Sequence, residues 1–261
     1  MSIIWTGLAP HPPIIVETVG GERCAQVRPT IESMRRLALD LMDHEPERLV
    51  VISPHTPRPR KGIATWSAPR ISGDFRQFGA LNPKLDLPVD QAWLRRFRDR
   101  YADTVELGFE PLDHGAMVPL AFLAEAGWRE PTCVLGLPWD EDAELDRIAA
   151  ALSSASEDPL RTAVLASGDM SHCLLPSAPC GYHESGPQFD RAFVSMLKRA
   201  DFKGAAAVDP HLREGARQDV VESCRVVWEA SDYRSENHCF FGYEGPFGVG
   251  YTVMKFFGAP P

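Results

Sequence analysis

Apolar and polar positions along the chain alternate between two rhythms. Short runs of consecutive apolar residues, at 3–8, 49–52, 132–139 ("TCVLGLPW") and 162–166, read as strands buried on both faces. Between them the spacing is helical. Residues 27–46 place Ile31, Met34, Leu37, Leu41 and Met42 on one stripe, and residues 187–200 do the same with Phe189, Phe193, Met196 and Leu197. Further helices are predicted over 90–101, from near Met117 to Gly127, over 141–154 and over 217–230, with a last strand at 249–256. Residues 54–90 break the rhythm. They are rich in Pro, Gly and Arg and hold a strand candidate, "GIATWSA", and a turn, "SGDFRQFG". Their aromatics need burial, so an ordered loop region lining something is expected rather than a linker. Strands alternating with helices predict an α/β fold: a single domain, residues 1–261, with a central mixed, mainly parallel sheet covered by helices on both faces.

The residues at the strand exits change the picture. In "LAPHPP" the apolar run ends at a histidine, His11, locked between Pro10 and Pro12. Proline fixes the local angles and removes a backbone donor, so pairing stops there and the imidazole sits on a stiff turn. The design recurs in "RLVVISPHTP", where His55 follows Pro54, and again where the run at 162–166 gives way to Gly168, Asp169 and His172. His114 precedes a predicted helix. In α/β sheets ligands bind beyond the carboxyl ends of the strands, where such exits cluster. His44, His183, His211 and His238 stand in polar contexts and read as surface groups.

Composition narrows the partners. Acidic residues outnumber basic ones 36 to 27, for a formal charge of −9, which disfavours nucleic acid and anionic membranes. No stretch reaches the roughly 20 apolar residues of a membrane span, and no signal-like segment opens the chain. The six cysteines are scattered without a C-x-x-C pair, unlike a zinc finger or a small secreted disulfide scaffold. A cytoplasmic enzyme-sized protein is expected.

Two imidazoles and a carboxylate form the facial triad of non-haem iron(II) oxygenases, and zinc hydrolases use the same donor types. The segments "LAPHPP", "ISPHTP", "LDHGAMVPL", "SGDMSHCL" and "DVVESC" follow one another in the order found in class III extradiol ring-cleaving dioxygenases, and the chain resembles their catalytic subunits over nearly its whole length. The resemblance implies that His11, His55 and Glu222 bind Fe(2+), that His172 is the acid–base residue, and that His114 stands beside substrate and dioxygen. It implies cleavage of a small catechol- or aminophenol-type aromatic ring. A homo-oligomer is expected, and the need for a second subunit, found in some relatives, stays open.

The same fold family includes Memo-like proteins, in which a cysteine replaces the carboxylate, so a metal-binding or redox-active partner protein is the alternative reading; a zinc hydrolase is a third. Glu222 and Cys224 both occur here. On a helical wheel Cys224 shares a stripe with Val220, Val221, Val227 and Trp228, while Glu222 lies about 200° away at about 100° per residue. The wheel alone therefore makes Glu222 solvated and Cys224 core. Glu244, in "FGYEGPFGVGY", is a reserve carboxylate with a structural role the simpler reading. Asp169 is either a turn former or an orienting carboxylate, and the "GDFRQFG" turn offers Phe75 or Phe78 to cover an aromatic substrate, although core packing is the commoner role for such aromatics.

Overall fold

The computed structural model describes residues 3–138 and 142–260. The first part of the chain runs β1 (Ile3–Ala9), α1 (Glu17–Gly20), α2 (Arg28–Asp43), β2 (Arg48–Ser53), β3 (Ile63–Trp66), β4 (Arg70–Gly73), β5 (Leu85–Pro88), α3 (Gln91–Arg100), β6 (Thr104–Leu107) and α4 (His114–Glu125). There follow β7 (Thr132–Gly136), α5 (Asp142–Ala155), β8 (Thr162–Ser167), α6 (Ser185–Lys198), α7 (Phe202–Ala206), α8 (Pro210–Ala216), α9 (Val221–Ala230), β9 (Cys239–Glu244) and β10 (Tyr251–Gly258). Trp139 and Glu141, expected in a strand and a helix, lie outside the described residues.

One sheet has the strand order β6-β3-β7-β2-β8-β1-β10-β9; β4 and β5 pair as a separate ribbon. The four central strands, β7, β2, β8 and β1, are parallel. They read as continuous apolar runs because helices cover both their faces: every residue of β2, β7 and β8 is buried. The β10 and β9 pairings are antiparallel, as is the short β3–β7 contact, so the sheet is mixed and mainly parallel. Helices α2 and α4 pack on one another and make contacts with β10 and with β2 and β8, respectively; α9 contacts β8, β2 and β1 and packs on α5. The predicted stripes face inward. In α2, Ile31, Met34, Leu37 and Leu41 are buried; in α9, Cys224, Val227 and Trp228 are. Among the described residues no helix is long and apolar enough to cross a membrane.

Several expectations need adjusting. The 54–90 region is more structured than a loop: it holds β3, β4 and β5, and it buries Trp66 and Phe75. Short, half-exposed strands such as β6 and β9 escape a periodicity search because only part of each is covered. Helix α4 begins at His114, three residues earlier than predicted, because Asp113 caps it by accepting from the Ala116 amide at 3.0 Å. The helix expected over 217–230 starts only at Val221, since Arg217 takes a left-handed conformation (φ 54°) that ends α8. Glu244 accepts from the Thr30 amide at 2.9 Å and from its hydroxyl, so it ties β9 to the first turn of α2, the structural role anticipated for it.

The amino ends of the central strands are held by a buried cation. Arg48, fully buried at the start of β2, donates to Asp90 at 2.8 Å, to Asp158 at 2.6 Å and to the Thr162 hydroxyl at 2.7 Å. Removing one member of such a network leaves buried charges uncompensated. Arg48→Met is expected to cost about 3 kcal/mol in urea unfolding, without disturbing the opposite end of the sheet. A second buried group reports on pH. Asp190 of α6 accepts from the Ser171 amide at 2.9 Å and the Tyr243 hydroxyl at 2.7 Å, and burial pushes its carboxyl up to about 6. A carboxyl raised in the folded chain favours the protonated form. Its contribution is therefore present below the unfolded value of about 3.9 and is lost as pH rises through about 6. Asp190→Asn should remove this dependence, so that the variant gains on the order of 3 kcal/mol relative to the parent between pH 4 and 7. Parallel urea titrations across that range measure it, and parallel curves of equal slope would contradict it.

Candidate metal centre

Because β8 lies between β1 and β2, the exits of those two strands are about 9.6 Å apart, and their histidines must lean across the end of β8 to meet. They do. His11 Nε2 and His55 Nε2 are 3.0 Å apart, with rings nearly perpendicular at 89°. Asp219 Oδ2 lies 3.5 Å from the first and 3.2 Å from the second. His114 closes the cluster: its ring is 4.1 Å from that of His55, and one donor atom from each of His11, His55 and His114 lies within 4.8 Å of the others.

Each donor is aimed by a neighbour. The Ser167 hydroxyl donates its one hydrogen to the Gly115 carbonyl at 2.6 Å, so its 2.9 Å contact with His11 Nδ1 must be one in which it accepts. Nδ1 of His11 therefore carries the proton, and in the neutral ring the lone pair is on Nε2, facing the cluster. Gly115 O is free for this bond because Pro119, four residues on, has no amide to offer it. Asp113 positions the backbone that carries the other two histidines. It caps the helix that starts with His114, and it accepts from Ser53 at 2.6 Å and Thr56 at 2.9 Å on either side of His55. Asp219 is held at Oδ1 by the Asp169 amide at 2.6 Å, which leaves Oδ2 for the histidines. The loop carrying it can lie directly on the end of β8 only because residue 168 is glycine: a Cβ there would stand 2.5 Å from Val220 Cα.

The electrostatics fit a cation-binding site. Burial works against a charged His11, but Asp169 and Asp219 outweigh it and push its pKa up to about 9. Burial likewise works against the Asp219 carboxylate, yet His11 and His55 hold it well below the usual range. Burial pushes the neighbouring Asp169 carboxyl up. His114 is depressed to about 4, by burial and then by His55 and His11, and stays neutral at neutral pH. The donor set suits a divalent transition metal. Two atoms each about 2.1 Å from one ion lie about 3.0–3.4 Å apart when they subtend right or slightly wider angles, which is the spacing seen here.

Among the residues singled out in the sequence, the structure brings His11, His55 and His114 together. It does not bring Glu222 to them. That carboxylate is ion-paired with Arg213 and accepts from Gln218 at 3.1 Å. Cys224 is fully buried in the core, with its thiol pushed far up by burial. His172 lies outside the donor group but close enough for its charge to act on Asp169 and Asp219, and its Nδ1 is buried without a hydrogen-bond partner. Phe75 is core, whereas Phe78 is partly exposed with its ring 5.6 Å from that of His114. Asp113, Ser167 and Asp219 were missed. Asp219 was absorbed into a predicted helix; the signal for it was an acidic residue just ahead of the apolar run Val220–Val221, where a helix start is the natural reading. Beside it opens a cavity of about 620 Å³, with Arg58, Leu137, Leu145, Arg213, Arg217 and Glu222 in its walls.

The family model for the catalytic LigB subunit of aromatic ring-opening dioxygenase matches residues 6–254. The chain is 29% identical, over 269 aligned residues, to Protein CA_C1420 of Clostridium acetobutylicum; the match takes in 98% of this chain and 58% of that protein, so the chain spans little more than half of its relative. Its fold is similar to the crystal structure of the uncharacterized protein JW3007 from Escherichia coli K12, with a TM-score of 0.66 at 12% identity, covering 97% of this chain and 99% of the other. With nearly the whole chain matched, this protein belongs to the family of catalytic LigB subunits of aromatic ring-opening dioxygenases.

Proposed function

We propose that the protein is an iron(II)-dependent extradiol dioxygenase acting on a catechol- or aminophenol-type substrate, with His11, His55 and Asp219 as the metal ligands. The observation that carries this reading is the meeting of His11 Nε2, His55 Nε2 and Asp219 Oδ2 within 3.0 to 3.5 Å of one another at the strand exits. Two imidazoles and one carboxylate on one side leave the other side open. Bound there, iron(II) would supply a chelation point for two adjacent ring substituents and the electrons that dioxygen needs. The expectation that Glu222 is a ligand gives way to Asp219, since Glu222 is already neutralised by Arg213.

The chain's own contributions follow from the geometry. Ser167 keeps His11 in the tautomer that offers Nε2, and Asp169 keeps Asp219 turned inward through its amide. His114, neutral and packed on His55, stands at the edge of the open side as a hydrogen-bonding wall, with Phe78 against its outer edge as an apolar surface for a ring. His172, close enough for its charge to act on Asp169 and Asp219, is the residue that would take the proton a substrate hydroxyl gives up and return it later. The cysteine that a Memo-like centre would use has no counterpart at the cluster, where Cys224 faces the core. This favours the dioxygenase reading over the partner-protein one.

Anaerobic loading with iron(II), followed by metal analysis, oxygen uptake and ring-fission absorbance over a panel of catechols and aminophenols, tests the proposal. Wild type and Glu222→Gln should retain iron. Asp219→Asn should lose both iron and activity, and His172→Phe should keep iron while losing turnover by about 10²–10⁴-fold. Iron kept by Asp219→Asn but lost by Glu222→Gln would reverse the ligand assignment. Stoichiometric iron without oxygen uptake on any substrate would favour the metal-binding alternative. Ser167→Ala should weaken metal affinity by roughly 10–100-fold while the chain remains folded, as measured by competition with a chromophoric chelator; unchanged affinity would show that the tautomer is fixed by something else.

A further inference from the structure

Past His172 the chain makes a closed excursion before α6. Its base is tied twice: the Cys180 amide donates to the His172 carbonyl at 3.3 Å, and the His183 amide donates to the Cys173 carbonyl at 3.1 Å. Folding back in this way brings Cys173 and Cys180 to the wall of one cavity of about 390 Å³, shared with His183, His211 and Arg217. Cys173 Sγ lies 4.0 Å from the Cys180 carbonyl oxygen, so the two cysteines meet at the base of the excursion. The pair is asymmetric. Cys180 is exposed, whereas Cys173 is 2% exposed, and both are free thiols.

We propose that Cys173 and Cys180 form a dithiol site that closes to an intramolecular disulfide on reaction with a hydroperoxide such as hydrogen peroxide. The exposed Cys180 meets the oxidant. Its thiolate attacks one peroxide oxygen, the O–O bond breaks, and the departing hydroxide takes up the proton released by the thiol to leave as water, giving a sulfenic acid. Cys173 then loses its proton and attacks the Cys180 sulfur; the S–O bond breaks, and hydroxide leaves with that proton as a second water. Two thiols and one hydrogen peroxide yield one disulfide and two waters, the cysteines being oxidised by two electrons and the peroxide reduced. Burial raises the Cys173 thiol, with Cys180 adding to the rise and Arg217 opposing it, which suits Cys173 to the second step rather than the first. The new bond would close the segment 173–180 immediately after His172, whose own amide is bonded to the Ala216 carbonyl at 2.9 Å. None of this depends on the metal or on ring cleavage.

Treating the full chain with one equivalent of hydrogen peroxide, alkylating, digesting and weighing the peptides tests the site directly. The fragment or fragments holding Cys173 and Cys180 should appear unalkylated, lighter by two hydrogens, and recover both alkylation sites after dithiothreitol. In Cys173→Ser, Cys180 should instead accumulate a sulfenic acid that dimedone captures. In Cys180→Ser, Cys173 should remain alkylatable. Cys173 left alkylatable in oxidised wild type, with Cys180 carried to a sulfinic acid or bonded between molecules, would overturn the proposal.

Discussion

A single hydroxyl decides what the candidate site can bind. Ser167 sits at the last position of the central strand and has one hydrogen to give. Because that hydrogen goes to Gly115 O, the oxygen can only accept from His11, and in the neutral ring the lone pair faces His55 and Asp219. The chain of cause begins further back, in a proline. A helix with an ordinary residue at 119 would claim the Gly115 carbonyl for its own ladder and leave the serine hydrogen to turn elsewhere. A local disruption of the α4 ladder is thus joined to the orientation of an imidazole on another strand.

The two ends of the sheet divide the labour. At the amino ends, Arg48 gathers Asp90, Asp158 and Thr162 into a network in which Arg96, paired with Asp158, supplies the second positive charge. At the carboxyl ends, imidazoles and carboxylates crowd together, with His11 and His55 both against Asp219. The first arrangement has its electrostatics satisfied internally and serves stability. The second keeps donor atoms pointing at one another, which is costly unless a proton or a metal ion stands between them.

The fold class was legible because the central strands are buried on both faces and so write themselves as unbroken apolar runs; the helices were legible from their stripes. His11 and His55 could be found because proline marks the exits on which they stand. What escaped detection depends on distant partners. Asp219 looks like any acidic residue near a helix start, and only its placement on Gly168 shows that it belongs with the histidines. The resemblance implied Glu222, whose carboxylate is instead paired with Arg213; the helical wheel, which put Cys224 in the core, read the packing correctly. Asp113 and Ser167 carry no local signal at all, since a capping aspartate and a strand-end serine are common wherever they occur.

The donors His11, His55 and Asp219 are far apart in sequence, separated by 44 (55 − 11) and 164 (219 − 55) residues. Closing loops of that length costs entropy that no single coordination bond offsets early in folding, and the strand exits do not converge until β1, β8 and β2 are already side by side. A cation could therefore not template this chain in the way that zinc organises a small finger. It would enter a finished site and bind the native chain alone, so that its stabilising effect would grow with its free concentration by mass action. In this design the sheet brings the candidate donors together, and loading with a cation would follow assembly.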